Sequence, residues 1–282
     1  SEGPGELSEG PGDGGAEGPA EGAEGSALQG SALLSAAGLA EGGGSLAQPL
    51  QSVGVVSFCA FDPDQVWGRE DGTAFLGNFH ELGPGGLHLE APCEPGPKFF
   101  RSAEAAFHAL RYWPLAGLFA NLSGRRALEK QRRLAEHGDD TYSGYGCAWR
   151  AMRAVLAAKF RPQTALAASL VGTGDAFLLA HAHVPAKEGV WSDGCDGEGT
   201  NWLGLQLLLL RDSLSGESRW TDFLAAMLDL ETGLPRNADA AELWQDAVRT
   251  AVDATSEQPG RPLDAPSSGS WEYPGEGAAT PA

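Results

Sequence analysis

Features that mark membrane, secreted and metal-binding chains are missing from this sequence. No apolar run reaches the about 18 residues of a membrane-spanning helix, and no basic start leads into an apolar stretch. We therefore expect no membrane attachment and a cytoplasmic location, with the nucleus left open. The cysteines are far apart and form no CxxC pair, which predicts neither a disulfide framework nor a zinc site. We expect no metal and no cofactor.

Basic residues are also missing from the first fifty positions, which carry eight acidic residues. The formal net charge of −19 argues against general affinity for nucleic acid. This charge comes from the two ends, however, because residues 51–215 hold 18 acidic and 15 basic side chains. Residues 98–161 have 12 basic and five acidic side chains. The middle of the chain therefore contains a basic segment between acidic flanks.

Composition divides the chain into four parts. Residues 1–52 are rich in Gly, Glu, Ala and Pro and lack aromatic residues, so we predict a disordered acidic segment. Residues 53–215 have the apolar content of a folded domain. Residues 216–253 read as a helical extension that either packs on the domain or stands alone, and residues 254–282 read as a disordered tail.

Periodicity within the folded part predicts the individual elements. Strands are predicted at 55–61, 74–79, 87–89 and 184–190. Helices are predicted at 102–114, 119–137, 149–160, 164–170, 175–181, 203–214, 219–230 and 238–252. Ser102 is predicted as a helix cap, and Thr173 as the cap of the 175–181 helix.

The sequence of residues 191–202, WSDGCDGEGTNW, is too rich in glycine for a strand or a helix interior. It precedes an apolar run and so predicts a tight acidic loop at a helix start, called the acidic loop below. Such a loop is either a ligand-facing turn, with backbone N–H groups and carboxylates in a cleft, or a solvated Gly/Asp turn. The helix at 102–114 has a similar ambiguity: Glu104, His108 and Arg111 share one face, which is either solvated or a cleft wall.

Five segments in order resemble the NADAR (YbiA-like) family. Residues 75–79, FLGNF, are similar to its Phe-Leu-Ser-Asn-Phe opening, and residues 102–111, SAEAAFHALR, to its Ser-Val-Glu-His helix. The other matches are AKF at 158–160, LVGTGDA at 170–176, and the acidic loop with Gly204 and LRD at 210–212. The resemblance covers about residues 75–215. It implies a mostly helical α+β domain of NADAR type with a small sheet, and cleavage of an N-glycosidic bond to ribose.

The resemblance also implies site residues. The chemistry needs a carboxylate near C1′ and a proton donor for the leaving base. The resemblance implies Glu104 and Asp193 as this catalytic pair. The substrate-binding residues that it implies are Asn78, Arg111, Arg125, Trp191, Gly194 and Asn201. The implied partner is an ADP-ribose-like or ribosyl-nucleotide substrate. ADP-ribosylated nucleic acid is left open as its carrier, and the oligomeric state is not predicted.

Arg111 departs from the family pattern, which usually has lysine at that position. In some members that lysine is thought to form a Schiff base with the opened ribose, which an arginine cannot do. The alternative to an N-glycosidase is therefore a catalytically impaired module that binds ADP-ribose. Lys159 is a possible substitute nucleophile by residue type, but its position at a helix end favours a solvated lysine.

Overall fold

The computed structural model describes residues 31–32, 53–60, 72–182 and 189–256. The predicted disordered segment, residues 1–52, lies outside these ranges except for Ser31–Ala32. The predicted tail from residue 254 lies outside them after residue 256, and up to that point it is helical. Among the described helices, none combines the length and the apolar character that crossing a membrane requires.

A short parallel pair of strands forms the centre of the domain. Strand β2, Val53–Cys59, runs beside β5, Phe177–His181, with Val55 opposite Phe177 and Cys59 opposite His181. Strand β1, Ser31–Ala32, adds an antiparallel edge to β2. Every residue of β5 is buried, as is typical of a strand covered on both faces.

Strand β5 corrects the prediction of a helix at 175–181. A short, wholly apolar run does not show by its periodicity whether it is a buried strand or a buried helix, and here the pairing with β2 decides. Thr173 consequently caps no helix there. Its hydroxyl donates to the carbonyl of Leu170 and accepts from Arg211 Nη1.

A separate antiparallel hairpin follows the first strands. It consists of β3, Leu87–Ala91, and β4, Glu94–Phe100, with Leu87 opposite Phe100. The sequence predicted only the first of these strands, within a loop. Strand β4 was missed because it is largely exposed, so it shows no apolar alternation.

Seven α-helices surround the strands within the described residues. They are α1 (Ala103–Leu110), α2 (Gly124–Leu134), α3 (Ala148–Lys159), α4 (Ala165–Val171), α5 (Trp202–Ser215), α6 (Arg219–Met227) and α7 (Ala238–Ser256), with 3₁₀ turns at Ala74–Leu76, Trp113–Leu118 and Ala135–His137. The Ser102 cap is confirmed, since its hydroxyl accepts from the Ala105 N–H, and the Thr164 hydroxyl accepts from the Ala167 N–H in the same way. The mostly helical α+β class is confirmed as well.

Two segments differ from their predicted form. Residues 74–79 contain a 3₁₀ turn in place of the predicted strand, because their N–H groups are bonded locally: Leu76 donates to the carbonyl of Thr73 and Gly77 to that of Ala74, at 3.0 and 3.2 Å. The strand predicted at 184–190 lies outside the described residues up to 188, and residues 189–190 are irregular.

The last two helices pack on the domain and do not stand apart from it. Trp220 of α6 and Trp244 of α7 are buried against Phe177 of β5, with ring centroids 5.9 and 5.6 Å away. Helix α7 also buries Val248 and Ala251. The apolar stripes seen in the sequence at 219–230 and 238–252 therefore face one shared core.

Candidate active site

Helix α1 carries a buried charged pair. All eight of its residues are buried, and its four alanines let neighbouring elements approach closely. Glu104 and His108 are four positions apart and therefore lie on one face. The His108 Nε2 atom is 2.9 Å from Glu104 Oε1, and their side chains are only 6% and 2% exposed. The face that the sequence left open is thus covered by protein at these two positions.

The turn at 72–80 supports the first turn of α1. The backbone carbonyl of Asn78 accepts from the N–H of Glu104 at 3.0 Å. The Asn78 side chain is buried and donates from Nδ2 to Met152 Sδ at 3.4 Å. Its Oδ1 atom has no hydrogen-bond partner among the described residues. Asn78 therefore offers a buried acceptor next to Glu104.

Lys159 is buried, which corrects the prediction of a solvated lysine at a helix end. Its Nζ donates to the carbonyls of Leu76 and Gly77 at 3.1 and 2.8 Å, and lies 4.8 Å from the ring centroid of Phe160. Burial lowers the pKa of Lys159 to about 7. The pKa of His80 is lowered as well, mainly because the imidazole is partly buried and also because the positive charge of Lys159 is near. The lysine thus holds the turn on which Asn78 sits.

Arg111 closes the other end of α1. Its Nη2 donates to Asp140 Oδ1 at 2.6 Å, and its guanidinium lies over the Tyr142 ring at 5.8 Å. An added Cβ at Gly138 would lie 2.8 Å from Arg111 Nη2, so glycine leaves space for the guanidinium. The Nε atom is buried and has no partner in the described part of the chain. Arg111 is therefore anchored, with its buried Nε–H group unused.

The acidic loop packs against α1 through Trp191. This indole is buried and meets Phe107 edge to face at 5.3 Å between centroids and Trp202 at 5.5 Å. Since Phe107 adjoins His108, the loop touches the helix that carries the charged pair. The structure therefore rules out the reading of this loop as a solvated turn at Trp191, because that side chain is part of the core.

Asp193 is completely buried, and both of its oxygens are engaged. Oδ1 accepts from the N–H groups of Ala182 and Cys195, each at 2.9 Å, and Oδ2 lies 2.5 Å from His181 Nδ1. Asp193 therefore ties the loop to the end of β5 and orients the His181 imidazole.

Asn201 and Gly194 belong to the framework of the same loop. Asn201 has a left-handed backbone, with φ at 55°, and is fully buried. Its amide accepts from the N–H of Ala180 and donates to the carbonyl of Leu178, both at 2.9 Å. Gly194 is buried with φ at 76°, and an added Cβ would be 3.0 Å from the Gly199 nitrogen. Asn201 therefore fixes the loop on β5, and Gly194 allows the loop to fold back on its own backbone at Gly199.

Arg125 is exposed in the first turn of α2. It follows Gly124, which packs on the Phe79 ring, one residue from Asn78. The packing of Gly124 on Phe79 therefore places the backbone of Arg125 beside the 72–80 turn.

The structure thus assembles two groups from the predicted residues. Asn78, Glu104 and Arg111 lie along α1 and its supporting turn, while Asp193, Gly194 and Asn201 form the loop framework, with Trp191 between the groups. His108 joins Glu104, and its spacing of four residues was visible in the sequence. His181 and Lys159 had no such signal: the first ends a strand that reads as a helix, and the second is buried only by tertiary packing.

No family model matches the chain. The chain is 29% identical over 155 residues to a riboflavin biosynthesis protein of Vibrio vulnificus (strain YJ016), a match of 55% of this chain and 37% of that protein. It therefore spans well under half of the relative's length. This match confirms the resemblance of the chain to the NADAR (YbiA-like) family.

The NMR structure of the E. coli protein YbiA is also similar. It matches with a TM-score of 0.43 and 23% sequence identity, over 58% of this chain and 86% of that one.

Proposed function

We propose that this protein is a NADAR-type N-glycosidase, which hydrolyses the bond between C1′ of ribose and a base nitrogen. The substrate would be an ADP-ribosyl or ribosylamino-base phosphate compound. In the balanced reaction, water supplies a hydroxyl to C1′ and a proton to the leaving nitrogen. The observation that carries the proposal is the buried Glu104–His108 pair on α1, in the segment that resembles the family.

Glu104 is assigned the carboxylate role at the sugar. Breaking the C1′–N bond develops positive charge on the ribose ring, and a nearby carboxylate stabilises that charge or takes a proton from the attacking water. His108 holds one oxygen of Glu104 in place. A carboxylate in a dry, low-dielectric setting interacts more strongly with such charge than one in water.

The polar atoms without partners are assigned to substrate binding. Asn78 Oδ1 can accept from a ribose hydroxyl or an exocyclic amine, and Arg111 Nε can donate to a phosphate oxygen. Arg125 is assigned to a phosphate further out, because it is exposed and follows Gly124, which packs on the same turn. Asp193 is assigned to orient His181 and not to contact the sugar, since both of its oxygens are engaged.

Arg111 predicts direct attack by water without a covalent intermediate. Arginine stays protonated and cannot form an imine with the opened ribose. Lys159 does not replace it in this proposal, because its amine is buried and bonded to two carbonyls. Borohydride added during turnover should therefore trap no protein–sugar adduct, as read by intact-protein mass spectrometry.

The decisive experiment is a turnover assay on a small panel: ADP-ribosylated guanine as a nucleoside and in an oligonucleotide, and ribosylamino-pyrimidine phosphate. We expect release of base from at least one substrate, and a loss of about 10²-fold or more in Glu104→Gln. The matched control is Glu242→Gln, an exposed carboxyl on α7. Turnover by Glu104→Gln at the wild-type rate, or no release from any substrate, would refute the assignment.

The alternative is an ADP-ribose-binding module that has lost turnover. The anchoring of Arg111 by Asp140 favours it, because the residue in the position of the family's lysine is a fixed cation and not an amine. Calorimetry would then detect binding of ADP-ribose with no product. Gain of activity in Arg111→Lys would show that the pocket is intact and that this single residue blocks the chemistry.

A further inference from the structure

Helix α7 contacts the acidic loop with three polar side chains. Trp244 Nε1 donates to the carbonyl of Thr200 at 2.8 Å, and Gln245 Nε2 donates to the carbonyls of Gly197 and Gly199. Arg249 Nε and Nη2 donate to the two carboxylate oxygens of Glu198 at 2.8 and 2.9 Å. The helix thus binds every residue from 197 to 200. It lies beyond residues 75–215, the part of the chain that resembles the family.

The fit between the helix and the loop requires glycine. Gly197 has φ at 85°, and an added Cβ would lie 2.9 Å from Arg249 Cα. The backbones therefore touch, and Gln245 and Arg249, four positions apart, face the loop together. Burial of Val248 and Ala251 holds the other side of α7 on the core, independently of the loop.

The bound part of the loop is joined to the part that faces α1. The N–H of Gly199 donates to the carbonyl of Asp193 at 2.9 Å, and that of Thr200 to the carbonyl of Gly189 at 2.7 Å. In the chain, Trp191 lies between Gly189 and Asp193, the two residues bonded in this way, and its side chain packs on Phe107 of α1. A continuous set of contacts therefore runs from α7 through the loop to the helix of Glu104.

We propose that α7 is a clamp on the acidic loop, and that Gln245 and Arg249 are positioning residues that hold Trp191 against α1. The loop is rich in glycine and would otherwise have many conformations available, so fixing it costs backbone entropy that the clamp contacts offset. The proposal concerns how the loop is held and extends beyond the glycosidase assignment. With this role, α7 becomes part of the candidate site.

The test is hydrogen exchange on the full chain carrying Gln245→Ala and Arg249→Ala together. These side chains lie at the edge of α7, so their loss should leave the core packing intact. Amides of residues 194–200 should exchange about tenfold faster than in the wild type, while those of β5 stay protected. Arg219→Ala is the matched control, since its ion pair with Asp175 is of the same exposed kind and lies elsewhere. Unchanged exchange at 194–200 in the double variant would overturn the clamp.

A charge swap separates positioning from general stability. Glu198→Arg should raise exchange at 194–200, and adding Arg249→Glu should restore protection, because the pair is re-formed with reversed polarity. Protection that returns in the doubly swapped variant supports the clamp. Protection that does not return shows that the Arg249–Glu198 ion pair does not hold the loop. Affinity for ADP-ribose, measured by calorimetry, should fall in the Gln245/Arg249 double variant and not in Arg219→Ala. Exchange decides the clamp even if ADP-ribose does not bind, so the two proposals can fail separately.

Discussion

The two walls of the candidate site differ in how completely their polar groups are bonded. In the acidic loop, both oxygens of Asp193 and both polar atoms of the Asn201 amide are engaged. Along α1, Asn78 Oδ1 and Arg111 Nε are buried without a partner among the described residues. A buried polar group that lacks a partner costs about 1–3 kcal/mol, so such groups are candidates for ligand contacts. Under the proposed function, the residues of the acidic loop therefore form the framework of the site, and the chemistry takes place at α1.

The largest effect should come from removing the loop's buried carboxylate. Asp193→Ala deletes the contacts of this buried carboxylate with the Ala182 and Cys195 N–H groups and with His181 Nδ1, so the free energy of unfolding should fall by about 3 kcal/mol or more. Urea unfolding followed by tryptophan fluorescence measures this. Asp196→Ala, in the same loop but exposed, is the control and should change little. If both variants lost the same free energy of unfolding, the buried contacts of Asp193 would have no special part in holding the loop.

The second test separates the amide of Asn201 from its backbone conformation. Asn201→Ala loses both side-chain bonds and forces alanine into a left-handed conformation, whereas Asn201→Gly loses only the bonds. We expect both to be less stable than wild type by about 2 kcal/mol, with alanine worse than glycine by about 1 kcal/mol. Thermal unfolding of the three proteins measures the order. If glycine were as stable as asparagine, the amide would be free for a ligand.

The third test concerns Lys159, which lies behind the α1 wall. Burial favours the neutral amine in the folded state, while the unfolded chain keeps the ordinary lysine pKa of 10.5. The unfolded state therefore binds more protons between pH 7 and 10.5, and stability from this group rises with pH there. The stability of the wild type relative to Lys159→Met should therefore rise by up to about 1.4 kcal/mol per pH unit across that range. A stability difference that does not change with pH would contradict the lowered pKa.

The smallest effect on stability should come from the proposed catalytic residue itself. Glu104→Gln keeps a side-chain oxygen that can accept from His108, so the free energy of unfolding should stay within about 1 kcal/mol of wild type. The same urea titration used for Asp193→Ala measures it. A large loss of stability in Glu104→Gln, with a small one in Asp193→Ala, would mean that α1 is the framework and that the acidic loop is available to the substrate.

The sequence by itself determined the Ser102 cap and the order of the seven described helices, because these depend on local chemistry. The α+β class was implied by the resemblance to the NADAR family. Ser102 caps its helix through a hydroxyl that accepts from the N–H three residues further along the chain, and the 3.6-residue spacing of apolar side chains marks α3 whatever surrounds it. The spacing of Glu104 and His108 also places them on one face from the sequence alone.

Only the tertiary structure decided which polar side chains are bonded within the protein and which remain available to a ligand. The apolar run at 177–181 becomes a strand because β2 lies beside it, and that strand then binds the Asp193 and Asn201 side chains. Lys159 is buried because the Leu76–Gly77 carbonyls meet its amine from more than eighty residues away. Hydrogen-bond partners that are distant in the chain leave no local signal, so neither the frame of the loop nor the clamp on it could be predicted from residue spacing.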